Sequence, residues 1–437
     1  MKLMVSQGCA GLFLDPGLGK TSISLGAYLV LRDMKFVRRL LVIAPLRVCY
    51  NVWPKEIKKW AEFNKLTCHI LHKKGLEFIP KADMYVLNPE GLEWLITNNM
   101  IQRLGLDMLI VDESTKFKNS ATQRFKYIKT VLRKFKRRYI LTGTPAPNGL
   151  LDLFGQIYIL DEGNALGRFI THYRTTYFFP SGFGGYEWVP QKDAMDRITA
   201  RIAPLTLRLR AADYLELPGL VEDDKMVTLP PEARAVYDAM EAEFIASIDS
   251  GEVVAANSAV ASGKCRQIAN GALYTHLPKK GDFEIIHSEK LKALADLIDE
   301  LSGQPLFILY EFDFERIIIH DSLKIPYFGK SEKLDSQLND AFNGGGLRAV
   351  MGQPSSVAWG LNLQEACGHI CWYGMTWNLE HYEQAIDRVL RQGNPNKRVI
   401  VHRIIAEGTI DEIVRNVLKG KDKTQQAFLN ELKRLRS

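Results

Sequence analysis

Five residues near the amino terminus, Gly17-Leu18-Gly19-Lys20-Thr21, limit the folds open to this 437-residue chain more than any other segment. An apolar run, Ala10–Leu14, precedes them, and a stretch of helical pattern from Lys20 to about Arg32 follows. Such a strand–turn–helix junction belongs to α/β folds built on a parallel sheet. The glycines let the backbone curl so that its N–H groups face one point, and the helix N-terminus adds partial positive charge there. The segment is therefore predicted to grip phosphate, with Lys20 directed at the β- and γ-phosphates and the Thr21 hydroxyl at a magnesium ion. The alternative is a glycine-rich turn that happens to precede Lys-Thr. Leu14 stands where the strict pattern wants a small residue.

A second element supports the first. Met108–Val111 is an apolar strand candidate that ends in Asp112-Glu113. Two carboxylates at such a strand end suit a magnesium-holding Asp and a Glu that orients or deprotonates an attacking water. The bland alternative is a pair of acids capping the next helix.

The rest of the chain fills in the architecture. Leu40–Ala44, Met84–Leu87 and Tyr139–Thr142 are further strand candidates in the first third, separated by helical stretches, which reads as βαβ units. The last third repeats this rhythm. Ser288–Leu301 carries Leu291, Leu294, Leu297, Ile298 and Leu301 on one helical face. Apolar segments follow at Leu306–Leu309, Ala349–Met351, His369–Tyr373 and Val399–Ile405, with helical pattern at Leu379–Leu390 and Thr409–Leu418. Between the two α/β regions, Phe169–Val189 is crowded with aromatics and glycines, and Leu229–Ala272 is Ala-rich and helical in pattern.

Composition narrows the function class only slightly. The chain is 46% hydrophobic and 24% charged, ordinary for a globular protein, and its net charge of +7 is compatible with a polyanionic partner without requiring one. The six cysteines lack paired zinc spacing, so reduced thiols are expected, and Cys367-Gly-His369-Ile-Cys371 reads as buried strand rather than a metal site. No apolar run is long enough to span a bilayer and the N-terminus does not read as a signal peptide, so a cytoplasmic protein is expected.

With these residues in view, the sequence resembles the superfamily 2 helicase-like ATPases, and within them the Swi/Snf-type branch of double-stranded DNA translocases. The resemblance covers nearly the whole chain. Gly17–Thr21 matches motif I; Ala44-Pro45-Leu46-Arg47 with Trp53 and Glu56 is similar to motif Ia; Asp112-Glu113-Ser114-Thr115, followed by Lys116, fills motif II; Leu141-Thr142-Gly143-Thr144-Pro145 matches motif III. Gly360-Leu361-Asn362-Leu363-Gln364 matches motif V, and Gln384, Arg388, Arg391, Gln392 and Gly393 match motif VI. Compact members of this kind resemble those of phages and mobile elements.

The resemblance implies two tandem RecA-like domains, each a parallel sheet flanked by helices, with an aromatic and helical insertion between them. Expected boundaries are 1–160 for the first domain, 161–285 for the insertion and 286–437 for the second domain. It implies ATP and magnesium as ligands, with Gly17, Leu18, Gly19, Lys20, Thr21, Gly360 and Gln384 on the nucleotide and Thr21 and Asp112 on the metal. Lys20, Asp112, Glu113, Arg388 and Arg391 are the implied catalytic residues, and Thr142, Gly143 and Thr144 the coupling segment. Gln384, Arg388 and Arg391 recur at helical intervals, so one helix face is expected to present all three, with the arginines reaching across the interlobe cleft to the γ-phosphate. A solvated basic face is the alternative.

For nucleic acid, with DNA favoured and little sequence preference, Arg47, Asn88, Thr115, Lys116 and Asn362 are the expected contacts. The run Arg133-Lys134-Phe135-Lys136-Arg137-Arg138 reads as a solvated helix end before a buried strand, with DNA binding as the alternative. The aromatic segment from Tyr173 to Trp188 reads as packing between lobes, with base stacking as the alternative.

Two departures from the family pattern stand out. Thr115 occupies a position that is His in many relatives. Relatives also carry an adenine-reading glutamine upstream of motif I, and Gln7 is not at the expected spacing, so either the start is truncated or base recognition is weak. Three activities stay open on the sequence: an ATP-driven translocase on duplex DNA, a strand-separating helicase on DNA or RNA, and a nucleotide-gated clamp without turnover.

Overall fold

The computed structural model describes residues 1–181, 187–249, 255–275, 282–357, 361 and 363–420. It divides into two compact units, with the boundary between Leu215 and Glu216.

The first unit is built on β1 (Cys9–Leu14), β2 (Leu40–Ile43), β3 (Cys68–Ile70), β4 (Met84–Leu87), β5 (Met108–Asp112) and β6 (Arg137–Thr142). A small antiparallel hairpin follows, β7 (Phe178–Ser181) with β8 (Glu187–Pro190), and then β9 (Thr206–Leu209). The large sheet has the order β3-β4-β2-β5-β6-β1-β9 and every pairing in it is parallel. Its central strands β2, β4 and β5 are buried at every residue. Continuous Leu, Ile, Val and Met runs are what a sheet covered on both faces requires. All strand carboxyl ends point the same way, so the loops after β1, β5 and β6, which are neighbours, collect at one edge, where α/β sheets bind ligands.

The aromatics at Tyr173, Tyr177 and Phe178 belong to the core of this unit, and the Tyr173 hydroxyl donates to the Leu150 carbonyl at 2.7 Å. Phe179 is exposed, Trp188 lies under the Arg174 guanidinium, and Phe183 and Tyr186 lie outside the described residues. The basic run ahead of β6 is engaged within the unit. Arg138 reaches Glu162 and the Leu160 carbonyl, Arg137 the carbonyls of Val5 and Gln7, Arg133 Glu162, and Lys136 Asp107.

The second unit holds β10 (Gly219–Val227), the short pair β11 (Ala272–Tyr274) and β12 (Phe283–Ile285), β13 (Leu306–Leu309), β14 (Ala349–Gly352), β15 (His369–Trp372) and β16 (Arg398–Ala406). Its sheet, β10-β16-β15-β13-β14, is also all parallel. Successive side chains of β13 face opposite ways. Phe307 and Leu309 pack with Val350, Trp372 and Val401 on one face, while Leu306 and Ile308 pack with Met351 and Cys371 on the other. The helix Glu289–Glu300 covers the second face with Leu294, Leu297 and Ile298, as its periodicity predicts. The segment 161–285, expected as a linking insertion, is shared out. Its β9 closes the first sheet, β10 closes the second, and the helices Pro231–Asp249 and Ala255–Ala269 belong to the second unit.

The cysteines form no disulfide. Among the described residues no cluster of His, Cys, Asp or Glu is arranged to hold a metal ion by itself, and no helix is long and apolar enough to cross a membrane.

Candidate active site

Gly17 (φ 87°) and Gly19 (φ 71°) are both left-handed, the backbone conformation that lets the chain turn sharply between β1 and the helix Lys20–Asp33. Gly19 is the N-cap of that 14-residue helix, so Lys20 and Thr21 open its first turn with N–H groups that have no partner in the helix. The Lys20 ammonium donates to the Leu14 carbonyl at 2.7 Å. Asp15 fixes the base of the loop: its carboxylate pairs with Arg208 of β9 at 2.5 Å and accepts the Ala211 N–H at 2.9 Å. Arg208 is buried and also donates to the Phe13 carbonyl at 3.1 Å.

Asp112 ends β5 and is 8% exposed. Its Oδ2 accepts the Trp53 indole N–H at 3.0 Å and its Oδ1 the Glu113 N–H at 3.1 Å. Burial raises the Asp112 carboxyl above the ordinary carboxylate range, and the Lys20 ammonium is the foremost opposing influence. Lys20 and Asp112 are thus electrostatic neighbours although 92 residues part them in sequence. Glu113 sits in the left-handed region at φ 54°, a conformation that costs a non-glycine residue on the order of 1 kcal/mol or more and gathers at functional sites.

The loop after β6 closes the site. Thr142 is fully buried and its Oγ1 accepts the Thr144 N–H at 3.1 Å. A Cβ at Gly143 would lie 3.4 Å from the Leu14 carbonyl and from Pro16 Cδ, so this loop touches the phosphate loop directly. The structure therefore brings together Gly17–Thr21, Asp112, Glu113 and Thr142–Thr144. The donor set fits the expected ligands: left-handed glycines and a helix N-terminus for phosphate, a hydroxyl and a carboxylate as hard oxygen ligands for magnesium.

The expected nucleic-acid residues are scattered in exposure. Arg47 lies in the first turn of the helix Leu46–Asn51 and is half-buried, as is Lys116. Asn88 follows β4 and donates to Glu90 at 2.8 Å. Thr115 is buried at 3% exposure, within the turn Ser114–Phe117. Gly360 and Asn362 lie outside the described residues.

In the second unit the motif VI helix is shorter than its spacing predicts. It runs from Leu379 to Ile386, so Arg388 and Arg391 leave turns and do not share a helical face with Gln384. The hydrogen-bond ladder loses its helical register there: the Arg388 and Val389 N–H groups turn back only three residues, to the Ala385 and Ile386 carbonyls at 3.2 and 3.0 Å, and the Arg391 N–H only two, to Val389 at 2.9 Å. The Arg388 guanidinium donates to the Leu361 carbonyl at 3.4 Å, and Arg391 Nε to the Asp387 carbonyl at 2.6 Å. Gln384 is buried and donates to Glu380 at 3.3 Å.

Sequence reasoning missed Asp15 and Arg208 altogether, and it placed Trp53 in a motif without foreseeing its bond to Asp112. It missed Gln156 as well, which joins the loops after β5 and β6. The Asp15 position inside the loop was a usable signal; nothing in sequence pairs Arg208 with it across 193 residues.

Comparison with known proteins places the chain in a family. The family description SNF2-related domain matches residues 1–272. Protein p41 of Acyrthosiphon pisum secondary endosymbiont phage 1 is 31% identical over 96% of this chain and 94% of its own length. The ATP-dependent helicase/translocase YwqA of Bacillus subtilis is 24% identical over 93% of this chain, which spans 45% of YwqA. Among solved structures, the Sulfolobus solfataricus SWI2/SNF2 ATPase core in complex with dsDNA is 24% identical, covers 98% of this chain and 91% of its own, and has a TM-score of 0.44. A family match over more than half the chain, a phage relative aligned almost end to end, and a phosphate loop seated beside an Asp-Glu strand end lead to one assignment: the chain belongs to the SNF2-related domain family.

Proposed function

We propose that this ATP hydrolase couples turnover to translocation along double-stranded DNA. The observation that carries the reading is the convergence of Lys20, Asp112, Glu113 and the Thr142–Thr144 loop at one edge of the first sheet. Lys20 and the loop N–H groups bind the phosphates, while Thr21 and Asp112 would hold magnesium. Bound magnesium supplies positive charge that neutralises the phosphate oxygens. Glu113 orients the attacking water and accepts its proton, a role that commonly contributes about 10²–10⁴ in rate. Arg388 and Arg391 stabilise the charge that develops on the transferred phosphate. Gly360 and Gln384 contribute to nucleotide binding. Thr142, Gly143 and Thr144 link the phosphate loop to the nucleic-acid track, to which Arg47, Asn88, Thr115, Lys116 and Asn362 belong. A DNA partner is in keeping with relatives such as the DNA repair and recombination protein RAD54B of Gallus gallus, 26% identical over 94% of this chain.

The test is steady-state ATP hydrolysis with no polymer, duplex DNA, single-stranded DNA and RNA, with Lys20→Ala as the control. Strong stimulation by duplex DNA that disappears in the variant is expected. Stimulation by single strands or RNA alone would replace the translocase with a strand-separating helicase, and absence of turnover with every polymer would leave a nucleotide-gated clamp.

A further inference from the structure

The helix Leu153–Asp161 is buried along its whole length, and seven of its nine residues, all but Gln156 and the terminal Asp161, are aliphatic, aromatic or glycine. Gln156 is fully buried in the middle of it. Its Oε1 accepts the Ser114 hydroxyl at 2.7 Å, and its Nε2 donates to the Pro145 carbonyl at 2.6 Å and to the Asp152 carbonyl at 2.8 Å. Ser114 is the residue after Glu113, and Pro145 the residue after Thr144. One amide therefore ties the loop that carries the water-orienting acid to the loop that touches the phosphate grip.

Two further contacts hold the same helix to the same loop. A Cβ at Gly155 would lie 2.1 Å from the Phe117 carbonyl and 2.9 Å from that of Lys118, so the helix backbone lies directly on the turn Ser114–Phe117. At the helix start, Asp152 pairs with Lys118 at 3.3 Å. The loop after β5 is thus clamped along its length, and the Gln156 amide is the part of that clamp that also grips the loop after β6.

We propose that Gln156 is a positioning residue that sets Glu113 through Ser114 and makes that setting depend on the loop Thr142–Pro145. The physical basis is the cost of leaving buried polar atoms unpaired. Ser114 Oγ and the Pro145 carbonyl are both held by this one side chain, so the two loops shift together or break hydrogen bonds. The left-handed Glu113 has no glycine freedom to absorb a displacement of its neighbour, so motion of Ser114 reaches it undamped. The inference rests on the translocase reading for its signal, nucleic acid acting on the Thr142–Pro145 loop, and on hydrolysis alone for its readout.

The experiment uses the full chain and compares the native protein with Gln156→Leu, Ser114→Ala and the double variant. Measured are kcat and KM for ATP with and without duplex DNA, and the melting temperature of each protein. Gln156→Leu is expected to lower kcat with duplex about 10- to 100-fold, the range for a misplaced catalytic group, with KM within about twofold and the stimulation ratio falling toward one. Ser114→Ala should do the same from the other end, and the double variant should be no worse than Gln156→Leu. Should Gln156→Leu fail to fold, Ser114→Ala carries the test, since it leaves the amide bonded to both carbonyls. A lowered melting temperature with native kcat and native stimulation, or strictly additive losses in the double variant, would overturn the proposal. If the native protein shows no stimulation by any nucleic acid, the translocase reading fails separately, and non-additive loss of kcat at constant KM in unstimulated turnover still decides the role of Gln156.

Discussion

Each unit buries an acid at or soon after the carboxyl end of a sheet strand, and the two acids are kept in opposite ways. Asp112 ends β5 with partners drawn from its surroundings, the Trp53 indole, the Glu113 N–H and the charge of Lys20. Glu315 lies in the first turn of the helix Asp313–Leu323 after β13, fully buried, and accepts the Glu311 N–H at 2.8 Å and the Asn270 amide at 2.6 Å. Asn270 in turn accepts from the fully buried Lys290 at 2.7 Å, and Lys290 pairs with Asp411 at 2.5 Å and donates to the Tyr373 carbonyl at 3.3 Å. The second network ties β15, the helix Glu289–Glu300 and the segment after β16 into one closed set. The first lies among loops that carry phosphate and water chemistry. A buried ionisable group whose partners answer only one another serves stability and specificity of packing; one set beside a phosphate loop serves a reaction.

The largest effect that can break this comparison is at Lys290. Lys290→Met keeps the length and apolar volume of the side chain but leaves Asp411 without its cation and the Asn270 carbonyl oxygen without its donor. Removing one partner of such a pair costs about 3–5 kcal/mol, so the urea midpoint of the second unit should fall steeply. Turnover per folded molecule should stay at the native level. A native urea midpoint with lost turnover would move the Lys290 network from framework to reaction and erase the contrast.

Glu315 gives the next test. Burial pushes its carboxyl from the ordinary 4.5 up to about 7, the Glu311 N–H and Lys290 opposing. The folded unit therefore holds this proton more tightly than the unfolded chain. The stability it contributes is complete below about pH 4.5 and is lost as pH rises through about 7, a change of roughly 3 kcal/mol over that window. Urea unfolding at a series of pH values should show the decline, and Glu315→Gln should flatten it. A profile that rises with pH through this window in the native protein would contradict the assignment.

What the sequence disclosed follows the same division. Strands β2, β4, β5, β13 and β14 were legible because a parallel sheet covered on both faces demands unbroken apolar runs, and Gly17–Thr21 because its chemistry is local to five residues. β9 and β10 were not. β9 reads Thr-Leu-Arg-Leu, and its Arg208 is admitted to the interior only because Asp15 and two carbonyls receive it. β10 carries Glu222, Asp223, Asp224 and Lys225 in a row, which suits an edge strand answered by Arg403, His402 and Arg415 and hides it from any apolar pattern. The helix end at Ile386 was illegible for another reason: residue spacing says nothing about whether the N–H groups of Arg388 and Val389 will turn to carbonyls three residues back instead of four. Gln156 and Lys290 looked like an ordinary polar residue and an ordinary helix-surface lysine, because their partners lie 42 and 121 residues away.

The smallest expected effect sharpens the comparison from the Asp112 side. Trp53 is fully buried and its indole N–H is the one side-chain hydrogen bond found on Asp112 among the described residues. Trp53→Phe keeps most of the apolar bulk and removes that donor. A hydrogen bond to an ionised carboxylate favours the charged form, so its loss adds to the upward push that burial already exerts on Asp112. The acid limb of the pH–rate profile should then move to higher pH, with kcat at neutral pH reduced roughly five- to tenfold, about 1–1.4 kcal/mol of barrier, and recovered in part at alkaline pH. An equal loss of kcat at every pH would mean that the indole fixes where the carboxylate points and leaves its ionisation alone. Native kcat throughout would show that Glu113 N–H and Lys20 suffice, and that the strand-end acid is as well secured as the one enclosed in the second unit.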